Sequence, residues 1–431
     1  MPDRIKTASR HLFAQSRWTI PEVALISTAI LSLVYAVVTA PGKGIDLGFF
    51  QTGAREWVDG VFQIGKGVIG VYTPFLLPLF SPIALLSFDT LVLVWMAVNL
   101  AATALSLYFV KELWGRDWPL KTRLLLAALF LSFAPFRVTM RNGQISLIVL
   151  ALLLGALLAR RRNRNFLAGA LVGLSLCKYT LSIPFFFYFL WKREWKVVST
   201  AVLLPLALTE LFALRLGLEL FQVIRQYFGL AAQILFSGLP NRTGTTEIRQ
   251  LFLDLSGGNE SFAAIAGLSV SIAALICMLI VFTKKPKWEL AHISVLSLFS
   301  LWSVYHRTYD SVFCLVPAAL FVDFLVRERF VRFSKFWLAA LGLLIFSVPG
   351  VLVDRLQLDA NAPGRNPLFL FGVHIERLLV FGMFWSLLFV IWKAPADEFR
   401  DDQLVRAKED QDEIQTAIAT SSECQNFSTT G

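Results

Sequence analysis

The chain has 431 residues, of which 56% are hydrophobic and 16% are charged, and its formal net charge is +10. An average soluble domain contains about 25% charged residues and a disordered chain has low hydrophobicity, so this composition excludes both classes. The positive charge is typical of nucleic-acid-binding proteins or of membrane proteins with basic cytoplasmic loops, and we interpret the chain as a polytopic membrane protein without a nucleic-acid partner.

Twelve apolar runs predict helices that cross the lipid bilayer, five of them near the full length of about 20 residues and the others shorter. In chain order they cover residues 18–40, 88–110, 123–140, 145–159, 166–177, 181–191, 197–216, 262–283, 288–305, 310–326, 336–353 and 371–392. Lys178 lies between the fifth and sixth runs. One basic cluster precedes the fifth run and another follows the sixth. A single crossing would place one cluster outside, so we predict a hairpin with Lys178 at its outer turn.

Lys and Arg residues are unevenly distributed between the two sides of this topology. With both termini inside, 26 of the 40 fall in short inner segments, as expected of cytoplasmic loops. We predict a cytoplasmic N-terminal tail over residues 1–17, a membrane domain over 18–393 and a flexible cytoplasmic tail over 394–431. The plan suits a bacterial inner (plasma) membrane, and the sequence shows neither an internal repeat nor a soluble second domain.

The first outer segment begins with an amphipathic pattern. Apolar residues recur at helical spacing from Leu47 to Val58, which predicts a helix lying in the membrane interface. Asp46 stands at the start of this helix. It is the N-cap, a role that Asp commonly takes, or a catalytic carboxylate, and the two roles are compatible.

A proline-rich stretch follows in the same segment. Tyr72 precedes Pro74, Pro78 and Pro82, and proline disrupts the interior of a helix. Because non-helical backbone at membrane depth survives only against protein or a water-filled cavity, the stretch is either a re-entrant element beside a cavity or a helix start at the interface.

Two polar features interrupt the apolar helices in the middle of the chain. Arg141, Asn142, Gly143 and Gln144 form a polar corner, in which an amide side chain either hydrogen-bonds a sugar hydroxyl or caps the next helix. Lys178 is flanked by apolar helix, which is costly unless the ammonium group is paired or faces water. It either snorkels to the outer headgroups or contacts a phosphate.

A tight outer turn collects several ionisable side chains between apolar helices. It contains Tyr305, His306, Arg307, Tyr309 and Asp310. The turn is either an interfacial Arg307–Asp310 ion pair flanked by tyrosines of the aromatic belt or part of a functional site. Nearer the last helix, candidate contributors to the outer rim are His374 and Glu376.

Together these residues resemble the signatures of glycosyltransferase family 87, integral-membrane enzymes that use sugars carried on polyprenyl phosphate. Over roughly residues 18–320 the signatures occur in the family's order: Asp46, Tyr72 with Pro74, Asn142-Gly-Gln144, Gly169-Ala-Leu-Val-Gly173 leading into Lys178, and His306–Asp310. The chain departs from the family at Thr180, where Pro is common, and at Thr73, where Tyr-Pro-Pro is usual. These departures leave the fold prediction intact and affect the prediction of the sugar.

The resemblance implies an all-α bundle of about 12 transmembrane helices, a GT-C-like glycosyltransferase with an interfacial helix in its first outer loop. Asp46 is the implied general base, with His306 as helper or alternative base. Lys178 and Arg307 are the expected contacts of the donor phosphate. The other expected substrate-binding residues are Tyr72, Arg141, Asn142, Gln144, Tyr309 and Asp310. Because phosphate is already a good leaving group and the cysteines are not spaced as ligands, we expect neither a metal nor another cofactor.

The implied donor is a mannose-like hexose or arabinose on polyprenyl phosphate, with its tail in the bilayer and its head outside. The implied acceptor is a hydroxyl of a glycolipid or envelope glycan. A transporter or flippase is the rival class, because broken helices and intramembrane lysines also occur there, and an inactive scaffold is a third. A transferase predicts that Asp46, Lys178 and the His306 turn converge on one outward cavity, whereas a transporter predicts a site reachable alternately from both sides.

Overall fold

Every regular element that the structure, a computed structural model, describes is helical. The described residues are 18–40, 44–64, 72–237, 245–345 and 367–395. The predicted tails, apart from residues 394 and 395, lie outside the described residues, and the predicted crossing 336–353 is described only to residue 345.

The α-helices are numbered in chain order. They are α1 (Ile20–Thr39), α2 (Ile45–Val58), α3 (Leu76–Ala84), α4 (Phe88–Leu113), α5 (Leu120–Ser132), α6 (Ala134–Asn142), α7 (Ser146–Arg161), α8 (Asn165–Ser175), α9 (Tyr179–Trp191), α10 (Trp195–Arg215), α11 (Leu220–Ser237), α12 (Ile248–Leu255), α13 (Glu260–Lys284), α14 (Glu289–Ser303), α15 (Leu315–Val326), α16 (Val331–Gly342) and α17 (Pro367–Lys393). Three short 3-10 helices join them, at Leu176–Lys178, Thr308–Cys314 and Leu343–Ile345.

Seven of the described helical runs, one of which joins α8 and α9, are long and apolar enough to cross a membrane, which confirms an all-α, polytopic membrane protein. Counting α5 and α6 as one broken span gives eight, since these two helices are bent by 56° relative to each other. Pro135 lies in the first turn of α6, where its missing N–H removes a hydrogen bond that would continue α5. The number of twelve crossings stays a prediction.

The helices α8 and α9 fold back on each other at Lys178, although together they are long enough for one span. A straight helix of their combined 27 residues would be about 40 Å long. However, Arg160 before α8 and Glu194 after α9 form an ion pair at 3.3 Å. The Ser182 hydroxyl also donates to the main-chain oxygen of Ser175 at 2.7 Å. These contacts confirm a hairpin with Lys178 at its turn.

The basic loops meet at one end of the bundle. Arg160 pairs with Glu289 as well as with Glu194. Lys192 donates a hydrogen bond to the main-chain oxygen of Pro286 at 2.8 Å. These contacts join the segments before α8, after α9 and before α14, so the basic clusters gather at the end opposite the turn of the hairpin.

The helix α2 buries residues of its predicted apolar face, such as Leu47 and Phe50. Two residues depart from the amphipathic pattern, because the apolar Phe49 is exposed and the polar Gln51 is buried. The N-cap of α2 is Gly44. Asp46 is therefore not the N-cap, and that interpretation is wrong.

The proline-rich stretch passes beside the turn of the hairpin and then becomes the short helix α3. The main-chain N–H of Thr73 donates to the oxygen of Cys177 at 3.1 Å. Tyr72, just before it, packs edge-on against Phe50 with ring centroids 4.8 Å apart. This stretch therefore connects α2 to the hairpin turn.

Replacement of Gly169 by leucine is expected to destabilise the bundle. A Cβ on Gly169 in α8 would lie 2.6 Å from the main-chain oxygen of Val197 and from Cβ of Thr200 in α10, so the two helices would have to separate. Such overpacking costs about 1–3 kcal/mol or more. Thermal unfolding in detergent measures the effect. In the control Gly342→Leu, the added Cβ meets no described atom within 4 Å, and equal melting temperatures for both variants would contradict the prediction.

Candidate active site

Asp46, Gln144 and Tyr72 form the first half of a polar cluster. Oδ2 of Asp46, in the first turn of α2, accepts a hydrogen bond from Nε2 of Gln144. The amide oxygen of Gln144 accepts a hydrogen bond from the Tyr72 hydroxyl at 2.9 Å. Gly143 has a left-handed backbone with φ of 71°, and an added Cβ there would lie 2.6 Å from Cβ of Leu47. Glycine at this corner therefore lets α2 come close enough for Asp46 to meet Gln144.

Lys178 and Asp310 form a buried ion pair, the second half of the cluster. Nζ of Lys178 lies 2.5 Å from Oδ1 of Asp310, and each side chain is 2% exposed. The ammonium group also donates to Oγ of Ser146 at 3.0 Å and lies 3.5 Å from the amide oxygen of Gln144. Snorkelling of Lys178 is therefore wrong, since the fold supplies a buried partner for the charge. Gln144, which also binds Asp46, joins the two halves.

Asp310 binds His306 through its other carboxylate oxygen. Nδ1 of His306 lies 2.9 Å from Oδ2 of Asp310. Nε2 of the same ring is buried and has no hydrogen-bond partner among the described residues. Ser146 donates to Oδ1 of Asp310 at 2.5 Å. Asp310 therefore orients Lys178 and His306 at the same time.

The side chain of Arg307 does not pair with Asp310. Nε of Arg307 donates to the Tyr305 hydroxyl at 2.7 Å, and its terminal nitrogens have no bond to the described part of the chain. The interpretation of the turn as an Arg307–Asp310 ion pair is therefore wrong, because Asp310 is occupied by Lys178 and His306. Arg307 is left with two nitrogen donors in a fork that matches phosphate oxygens.

Burial raises the pKa of Asp46 above its usual value. The hydrogen bond from Gln144 and the positive charges of Lys178 and Arg307 act in the opposite direction. Burial also raises the pKa of the Tyr72 hydroxyl well above its usual value, so this hydroxyl stays protonated and donates. Because charges interact strongly only at short range, Lys178 and Arg307 lie close enough to Asp46 to stabilise its negative charge.

The other predicted site residues surround this cluster with weaker contacts. The Tyr309 ring has its centroid 4.8 Å from Nζ of Lys178. Arg141 and Asn142 are half-buried, and neither bonds through its side chain to a described residue. The helix α7 has no side-chain cap, so the interpretation of Asn142 or Gln144 as its cap is wrong.

Sequence reasoning missed the role of Ser146 and did not predict the contacts of Glu376. Ser146 opens α7 beside the polar corner, and that position was the only available signal. Glu376, a predicted contributor to the outer rim, is buried. Its carboxylate accepts hydrogen bonds from the hydroxyls of Thr308 and Ser311, in the 3-10 helix that carries Asp310.

The cluster provides the groups that proton transfer and anion binding require. Oδ1 of Asp46 has no hydrogen-bond partner among the described residues, so this oxygen is available to accept a proton. Arg307 and Lys178 supply positive charge nearby. Within the described ranges, no group of three or more His, Cys, Asp or Glu residues is placed to hold a metal ion.

Two comparisons with known proteins identify similar chains. The model of glycosyltransferase family 87 matches residues 71–304, more than half of the chain. A curated relative from Mycobacterium tuberculosis, the polyprenol-phosphate-mannose-dependent alpha-(1-2)-phosphatidylinositol mannoside mannosyltransferase, is 30% identical over 182 residues. That alignment covers 37% of this chain and 42% of the relative, so the chain spans less than half of the relative's length.

Proposed function

The chain belongs to glycosyltransferase family 87, and from this premise we propose that it moves a sugar from a polyprenyl phosphate donor to a hydroxyl group. A mannose-like hexose is the favoured sugar because the relative's name includes polyprenol phosphate mannose, with arabinose as the alternative. The acceptor is a glycolipid or an envelope glycan. The proposed site faces the periplasm or the cell exterior from a plasma (inner) membrane whose cytoplasmic side holds both termini.

One observation carries this proposal. Asp46 is linked through Gln144 to the Lys178–Asp310 ion pair, although these residues come from distant parts of the chain. A base for the acceptor and positive charge for the phosphate therefore lie in one cluster, as sugar transfer from a lipid phosphate requires.

The proposed reaction divides the work between these groups. Asp46 removes the proton of the acceptor hydroxyl, and the acceptor oxygen forms a bond to the anomeric carbon of the sugar. The bond from that carbon to the phosphate oxygen breaks, and its electron pair leaves with the lipid phosphate. Arg307 binds the phosphate with its terminal nitrogens, and Lys178 supplies a second positive charge. His306, held by Asp310, assists as helper or alternative base.

The test uses purified protein in lipid vesicles with polyprenyl phosphate [³H]mannose as donor and phosphatidylinositol mannosides as acceptors. We expect labelled acceptor, and the arabinose donor in parallel identifies the sugar. Movement of labelled donor between leaflets without a new glycosidic bond would contradict the proposal and favour a flippase. The absence of both sugar transfer and donor movement would contradict a transferase and a flippase alike, and would favour an inactive scaffold.

The transfer rate is expected to fall on the acid side of the pH profile. Burial raises the pKa of Asp46, and a general base must be deprotonated. Activity is therefore lost as pH falls through a value above the ordinary pKa of aspartate. A rate that stays constant down to that ordinary pKa would contradict the role. If His306→Gln still loses activity at low pH, the loss is assigned to Asp46. If that variant no longer loses activity at low pH, the loss is assigned to His306.

A further inference from the structure

The turn that carries Asp310 is held by the last helix. Residues Thr308–Cys314 form a 3-10 helix, whose internal hydrogen bonds are weaker than those of an α-helix. Glu376 of α17 accepts hydrogen bonds from the hydroxyls of Thr308 at 2.9 Å and Ser311 at 2.6 Å. These two donors lie on either side of Asp310 in the sequence, so the carboxylate of Glu376 bonds the turn both before and after the aspartate.

Arg377, the next residue of α17, anchors the segment that leads into the turn. Its side chain is fully buried and donates to the hydroxyl of Thr245. Thr245 pairs with Arg307 in an isolated antiparallel bridge, and the N–H of Thr246 donates to the main-chain oxygen of His306 at 2.9 Å. Two adjacent residues of α17 therefore restrain the backbone on both sides of the proposed catalytic groups.

Packing alone does not require a carboxylate at this position. Burial of a charged group is costly, and apolar replacements of buried polar groups are often neutral or stabilising. We propose that Glu376 is a positioning residue: it fixes the 3-10 helix so that Asp310 keeps Lys178 in place as negative charge develops on the leaving phosphate. This inference rests on the proposed function.

Two substitutions at Glu376 separate positioning from packing. Glu376→Met removes both hydrogen bonds at similar volume. Glu376→Gln keeps both, because a hydroxyl group can donate to the amide oxygen or accept from the amide nitrogen. We expect Glu376→Met to lower kcat by about 10- to 100-fold, the order caused by a small misplacement of catalytic groups, with little change in the KM for polyprenyl phosphate mannose. Glu376→Gln should keep kcat near the wild-type value.

A mutant cycle tests whether the effect passes through the two hydroxyls. Thr308→Val with Ser311→Ala should reproduce the loss in kcat, and adding both changes to Glu376→Met should cause no further loss, since coupled residues are not additive. The control is Ser300→Ala, a buried hydroxyl that bonds only within α14. Additive losses, or an equal loss of kcat in Glu376→Gln and Glu376→Met, would overturn the inference. If Glu376→Met fails to fold, the hydroxyl variants and Glu376→Gln still decide it.

Binding of polyprenyl phosphate alone distinguishes failure of the inference from failure of the proposed function. This product carries the charge that develops during transfer, so Glu376→Met should bind it at least about tenfold more weakly and Glu376→Gln as tightly as the wild type. A wild-type protein that neither binds polyprenyl phosphate nor transfers sugar contradicts the proposed function. If the wild-type protein binds polyprenyl phosphate and transfers sugar, and Glu376→Met has the same kcat and affinity, only the role of Glu376 is contradicted.

Discussion

Asp46→Asn is expected to abolish sugar transfer while the protein still folds. Asparagine keeps the size of the side chain, and its oxygen can still accept the hydrogen bond from Gln144, so the polar corner stays in place. The amide cannot take a proton from the acceptor, and general base catalysis typically contributes about 10²–10⁴-fold. The initial rate of transfer in vesicles measures the loss.

The control for this substitution is Asp59→Asn, at the other end of the same helix. Asp59 is the exposed C-cap residue of α2, so the same chemical change there should leave the rate unchanged. Donor binding by Asp46→Asn should also remain, because the proposed reaction assigns the carboxylate to the acceptor. Transfer at the wild-type rate in Asp46→Asn would rule out Asp46 as the base.

Lys178→Met is expected to cause the second largest loss, and to affect the donor far more than the acceptor. In the proposed reaction the ammonium group supplies charge next to the departing phosphate, and loss of one such electrostatic group costs about 10²–10³-fold in kcat. Removing it also leaves Asp310 without its cation in a buried site, which destabilises a protein by about 3–5 kcal/mol. Donor and acceptor kinetics and thermal unfolding measure these two effects separately.

A double variant separates the loss of activity from the loss of stability. Lys178→Met combined with Asp310→Asn removes both charges of the buried pair, so thermal stability should recover towards the wild-type value while transfer stays lost. The matched control is Lys192→Met, at the opposite end of α9, where the ammonium group bonds a main-chain oxygen. Equal losses of donor and acceptor affinity in Lys178→Met, or recovery of transfer in the double variant, would contradict a role at the phosphate.

Several of the site's residues could be predicted as candidates, but their pairing could not. Arg307 and Asp310 are neighbours in sequence, and local reasoning paired them. In the structure, the partner of Asp310 is Lys178, 132 residues away. Glu376 bonds Ser311 from 65 residues away, and no local pattern indicates that contact. Side-chain pairing depends on which groups lose water together, which is decided only when the helices pack.

Residue patterns alone were enough to predict the class of this protein, the apolar face of α2 and the hairpin at Lys178. These features follow from hydrophobicity, helical spacing and the distribution of basic residues, all of which are properties of short segments. The packing of the helices was needed to show that Asp46 does not cap its helix and that Gln144 connects it to Lys178. Desolvation explains this difference, because a buried charge must find a partner and the packed bundle determines which one lies within reach.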